Sequence, residues 1–186
     1  MNNILDQYQK WCNHAIFALK GIIFKQSHHY LDHLDAYFTE PFNSNLQSYF
    51  TKYLLTVARN PGYLTLVLST YPLLFGPIYL PLNEMKRVYG PEKDNPGYEP
   101  IFLFELVVLH KKKEIRRGWS PPPLLTSFTL FQTHRQLIIT DGSHRHEALA
   151  RSGYYGYYTI ISYNPSDTKY LNEYLYSLGI KTKLCP

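Results

Sequence analysis

Leu137-Ile138-Ile139-Thr140-Asp141-Gly142-Ser143-His144-Arg145-His146-Glu147-Ala148-Leu149 is the stretch from which the fold is read. A β-branched run enters it, a helix-forming run leaves it, and one glycine separates the two. A strand that turns straight into a helix points the free N–H groups of the first helical turn beyond the strand end, where an anion is the natural occupant. Gly142 lets the backbone approach a phosphate, Ser143 can donate a hydroxyl, and Arg145 offers a planar fork matched to phosphate oxygens. His144 adds an imidazole donor. Asp141 has four possible uses: capping the helix, orienting His144 or Arg145, holding a metal, or taking a proton from a substrate hydroxyl. The plainer alternative is that Asp141 and Ser143 only cap the helix while Glu147 pairs with Arg151 at i,i+4.

Upstream, Leu124 to Phe131 and Gln136 to Thr140 read as a hairpin turning near Thr133-His134-Arg135, its second strand aimed at Asp141. Trp119-Ser120-Pro121-Pro122-Pro123 is extended, because each proline fixes its own φ and restricts its predecessor. From Pro100 to Arg117, Ile101, Phe104, Val107, Val108 and Ile115 share a helical face, with basic residues in the last turn and Gly118 at the cap position. Downstream, Gly153 stops the motif helix and Tyr157 to Ile161 forms a strand. Ser166 caps a helix over Lys169 to Leu178, Gly179 ends it, and Ile180 to Leu184 adds a last strand.

The N-terminal part reads as helices: one over Ile4 to Ile23, a second from Ser27 to Phe38, and a third from Ser44 to Arg59 stopped by Asn60-Pro61-Gly62. Tyr63 to Leu74 is apolar without a clear period, so strand and helix stay open there. Pro77 to Leu82 is a short extended piece, Asn83 to Lys86 a turn of helix, and Tyr89 to Gly97 a turn-rich connection. The organisation expected is a helical annex over residues 1–62 and one domain over 63–186.

A hydrophobic content of 45% against 18% charged residues places the chain among globular proteins. Of the net charge of +5, the run Lys111 to Arg117 supplies four, five basic residues less Glu114, which excludes a uniformly basic nucleic-acid-binding surface. That run is either a solvated helix end or a local nucleic-acid patch. Cys12 and Cys185 have no metal or redox spacing, and the first residues lack the features of a secretory signal, so a cytoplasmic protein is expected. The uncharged stretch from Asn60 to Asn83 is of membrane length but broken by four prolines, so a buried core segment is expected instead of a span. His29 and His33 lack a third ligand, and His144 and His146, two apart, face different ways on a helix; no metal site is expected.

The segment 141–149, followed by Arg151-Ser152-Gly153 and a strand, resembles the Asp-Gly-x-His-Arg-x-x-Ala signature of the ParB/sulfiredoxin superfamily. Arg117-Gly118-Trp119-Ser120-Pro121-Pro122-Pro123-Leu124 is similar to the Gly-x-x-x-Pro-Pro stretch before it, and Ile78 to Met85 resembles the opening strand and short helix of ParB-like domains. The resemblance covers roughly residues 77–163. It implies an α+β fold, a mixed sheet with flanking helices, in which the signature loop holds nucleotide phosphates. Carried over, Gly142, Ser143, His144 and Arg145 meet the phosphates while Trp119 and Pro122 line the wall.

Members of that superfamily include CTP-binding partition proteins, ATP-using sulfiredoxins, free-serine kinases and nucleases. Sulfiredoxins carry a cysteine where Ser143 stands, which removes sulfinic-acid repair. Asn164 to Pro186 is too short for the helix-turn-helix of partition proteins. The kinase-like members place a glutamate base after the opening strand and helix, and Glu92 is its nearest counterpart, with Asp94 close by. The expectation is a phosphotransferase or nucleotide hydrolase using a nucleoside di- or triphosphate with Mg and a small-molecule acceptor, with Asp141, His144, Arg145 and Glu92 catalytic. A nucleic-acid-binding or nuclease module is the second reading, and an interaction module without chemistry the third.

Overall fold

A computed structural model of the chain describes residues 61–92, 97–182 and 184, together with 46, 50 and 51, which are helical. The expected helices over Ile4 to Phe38, most of that from Ser44 to Arg59, and His29 and His33 lie outside the described residues.

The open segment divides in two. Helix α1 (Pro61–Thr70) buries Leu64 and Val67 one turn apart, and strand β1 (Leu73–Pro81) follows directly. Pro61 and Gly62, expected as a helix stop, fall inside α1. The expected turn of helix at Asn83 to Lys86 is instead a 3-10 turn over Leu82–Glu84, and Met85–Arg87 is a strand, β2. The two-residue strands β3 (Tyr89–Gly90) and β4 (Gly97–Tyr98) pair in parallel across the turn-rich connection.

Helix α2 (Ile101–Arg116) buries Leu103, Phe104, Val107, Val108 and Ile115, and Gly118 beyond it has φ +92°, as the cap reading required. The hairpin is β5 (Leu124–Phe131) and β6 (His134–Asp141), its turn at Gln132-Thr133. Helix α3 (Ser143–Ala150), strand β7 (Gly156–Tyr163) and helix α4 (Thr168–Ser177) complete the order. Ser166 does not cap α4: a 3-10 turn at Pro165–Asp167 intervenes, and the Asn164 side chain accepts from Ser166 N. No strand forms at Ile180 to Leu184 among the described residues. The Leu184 backbone is instead held at both ends by the Asn172 amide on α4.

The five-stranded mixed sheet has the order β1-β7-β5-β6-β2, with β1·β7 and β5·β6 antiparallel and β5·β7 and β2·β6 parallel. Its two edges are joined by the 3-10 turn alone. Four strand spacings are about 19 Å, whereas the chain from Pro81 to Met85 reaches at most about 14 Å, so the sheet must curl until its edges approach. Thr159 on β7 accordingly donates to Met85 Sδ of β2 at 3.4 Å. One core, including Phe104, Val108, Leu124, Phe128, Leu137, Ile139, Leu149, Ile161 and Leu171, joins α2, α3 and α4 to this sheet. Ile138 and Ile160, pointing the other way, are buried as well. Among the described residues no helix is long and apolar enough to cross a membrane.

Candidate functional site

β6 ends at Asp141, and α3 begins at Ser143 with Gly142 as its cap at φ +106°. Only glycine takes this conformation readily, and space is short as well. A Cβ on Gly142 would lie 2.8 Å from Arg145 Nη2, 3.0 Å from Arg145 Nε and 2.9 Å from Leu124 Cδ2. The Arg145 guanidinium is therefore laid against the turn, almost wholly buried, and its Nη2 donates to Asp141 Oδ2 at 2.5 Å. Of the four uses open to Asp141, the structure shows the orienting of Arg145. The cap makes no side-chain hydrogen bond.

His144 Nε2 lies 2.8 Å from Glu99 Oε2, and Phe104 packs against the imidazole with ring centroids 5.0 Å apart. Glu99, just before α2, is a buried carboxylate whose backbone N–H is anchored on the Gly90 carbonyl. A carboxylate on one ring nitrogen fixes the proton there and leaves the other nitrogen, Nδ1, as the acceptor. His146 faces elsewhere, as its spacing implied: Nε2 donates to the Leu82 carbonyl at 2.8 Å, while its buried Nδ1 has no hydrogen-bond partner among the described residues. Burial pushes the His146 pKa down, which keeps the ring neutral.

Glu147 pairs with Arg151 at 2.7 Å, the i,i+4 contact expected, and also with Arg87 of β2 at 2.6 Å. Arg151 in turn grips Glu105 of α2 through two hydrogen bonds, and Arg87 pairs with Glu92. Glu92 is thus engaged on Arg87, whose guanidinium lies 5.1 Å from the Phe104 ring that also meets His144.

Lys111 departs from both readings of the basic run. Its Nζ sits over the Trp119 ring at 5.4 Å, and its pKa is pushed down to about 8, first by burial and then by repulsion from Arg145, with Asp141 opposing. Periodicity could have found it, because Phe104, Val108, Lys111 and Ile115 follow one another at helical spacing on the buried face of α2. Trp119 packs on the core and Pro122 is buried, on the stretch that delivers Leu124 to Gly142.

The chain matches no protein-family model and no curated protein. Among solved structures, it is similar to sulfiredoxin from Arabidopsis thaliana, with TM-score 0.34 and 18% identity over 55% of this chain and 98% of that one. It is also similar to the C-terminally truncated chromosome-partitioning protein ParB from Caulobacter crescentus complexed with CTP-γ-S. There the TM-score is 0.30 and the identity 18%, over 59% of this chain and 56% of that one.

Proposed function

We propose that the junction at Gly142 binds the phosphate groups of a nucleotide, and that the chain uses this site for phosphoryl transfer or nucleotide hydrolysis. The supporting observation is the buried Arg145 guanidinium, pinned by Asp141 against the first turn of α3. A cation held in advance beside helix N–H groups stabilises charge without reorganising when the ligand arrives. In the transfer step an acceptor hydroxyl oxygen forms a bond to the terminal phosphorus, and the bond from that phosphorus to the nucleotide's bridging oxygen breaks. The hydroxyl proton passes to His144 Nδ1, and Glu99 stabilises the imidazolium so formed. Asp141 and Glu92, each engaged by an arginine, serve as positioning groups in this scheme.

Among the described residues no group of three or more His, Cys, Asp or Glu side chains is disposed to hold a metal. A Mg ion accompanying the nucleotide would take its ligands from the phosphates and water, and would supply charge neutralisation there. Thermal-shift titration with ATP, ADP, CTP and GTP plus Mg tests the reading. At least one nucleotide is expected to stabilise the protein, by about 2.7 kcal/mol at a hundredfold excess over Kd, with the shift reduced in Arg145→Lys and His144→Gln. No shift with any nucleotide overturns it.

The exposed Lys113 and Arg116 at the end of α2 favour a second reading, in which the site meets a nucleic-acid phosphate. Oligonucleotide binding that weakens steeply with salt, with a shallower slope in Lys113→Glu/Arg116→Glu, distinguishes it.

A further inference from the structure

Helix α2 is apolar on two sides. Leu103, Phe104, Val107, Val108 and Ile115 are buried, and on the opposite side Phe102, Leu106 and Leu109 stand 59%, 48% and 57% exposed. A helix apolar all round is ordinarily covered all round. With Ile101, also exposed, this row leaves about 400 Å² of largely apolar surface in water, the size of patch that marks an interaction site. The row continues as Lys113 and Arg116, both exposed. Positions 102, 106, 109, 113 and 116 alternate steps of four and three, the seam along which one helix packs on another. Its first half is apolar and its second half cationic. A helix lying in a lipid surface instead carries basic residues along both sides of its apolar face.

We propose that this outer stripe of α2 is the interface of a homodimer in which two copies of the helix lie antiparallel. Charge divided along the axis is complementary to itself only in that direction. A twofold axis passing between Leu106 and Leu109 sets Leu106 of each copy against Leu109 of the other, and Phe102 of each against Lys113 of the other, ammonium over aromatic face. On one flank Lys112 of each copy comes beside Glu105 of the other, a carboxylate that Arg151 holds within its own chain. The two Lys113 side chains then lie about 16 Å apart along the axis, beyond the screening length of about 8 Å, whereas a parallel pair would set them side by side. Two such patches, with the stems of Lys112, Lys113 and Arg116, bury about 1,000 Å², the lower limit for a specific interface, so the Kd is on the order of 10 µM. The interface is independent of the nucleotide reading, since His144 meets α2 through Phe104 on the buried side.

Sedimentation velocity of the full chain, from tenfold below to tenfold above that Kd, tests the interface. Wild type is expected to pass from monomer to dimer, and Leu106→Glu/Leu109→Glu to associate at least about tenfold more weakly while melting as wild type does under dilute conditions. A short bis-maleimide cross-linker reads the direction, in a background with Cys12 and Cys185 replaced by serine. Phe102→Cys mixed with Lys113→Cys is expected to give a cross-linked dimer, and Phe102→Cys alone to give little. A monomer throughout the range overturns the proposal, as does a dimer that the double glutamate variant leaves intact. Cross-linking of Phe102→Cys alone in excess of the mixture means a parallel pair and overturns the antiparallel arrangement. If the double glutamate variant melts well below wild type where both are monomeric, the stripe is covered within one chain and the proposal is likewise overturned.

Discussion

Replacing Gly142 with alanine separates two costs that the structure superimposes at the turn. The first is backbone strain: φ of +106° suits glycine, and holding an alanine there costs about 1–3 kcal/mol. The second is steric, because the new Cβ falls within 3.0 Å of Arg145 and Leu124, and Leu124 is fully buried with little room to give. Overpacking of that kind adds about 1–3 kcal/mol. Gly153→Ala supplies the comparison, since Gly153 has φ +87° and nothing within 4 Å of its Cβ position, so it bears the strain alone. Gly142→Ala is therefore expected to lose roughly 2–6 kcal/mol against 1–3 for Gly153→Ala, at about 2–4 °C of melting temperature per kcal/mol. It is also expected to lose its nucleotide-induced shift, because the methyl group displaces the guanidinium from Asp141. Urea denaturation and thermal melts with and without nucleotide measure both. Equal stability of the two variants, with nucleotide binding intact in Gly142→Ala, refutes the placement of Arg145 against the turn.

Glu99→Gln keeps a hydrogen-bonding group on His144 but cannot stabilise the imidazolium; turnover of the responsive nucleotide is expected to fall about 10²-fold or more with KM little changed. His146, neutral and depressed by burial, binds fewer protons folded than unfolded below its ordinary value near 6.5, so stability is expected to fall as pH drops from about 7 toward 5, and His146→Gln to flatten that decline in acid melts. Glu147 meets two arginines at a half-buried position, so Glu147→Ala is expected to cost about 0.5–2 kcal/mol in urea denaturation.

Local features were legible in the sequence. The strand–glycine–helix junction, the hairpin and the Pro100 to Gly118 helix rest on adjacent residues whose periods and caps speak for themselves. Glu99 and Arg87 were not legible, because they reach α3 through contacts 45 and 60 residues apart in the chain. Arg87 sits on a three-residue edge strand too short to show a period, and its place follows from parallel pairing with β6. Lys111 was visible in the apolar rhythm of α2 but was read with the charge run that begins at it. The Tyr63 to Leu74 run had no single period because it is the end of a helix and the start of a strand. The last segment looked extended because its apolar residues pack, yet its backbone is tied to Asn172 and not to a neighbouring strand.

Titrating ¹⁵N-labelled protein with ATP–Mg and following each backbone amide reads the central contact atom by atom. The largest shifts are expected at the amides of Gly142, Ser143, His144 and Arg145, together with the Arg145 Nε–H. Shifts confined to the outer basic end of α2, at Lys112 to Arg117, or to neither place at saturating nucleotide, would contradict the account.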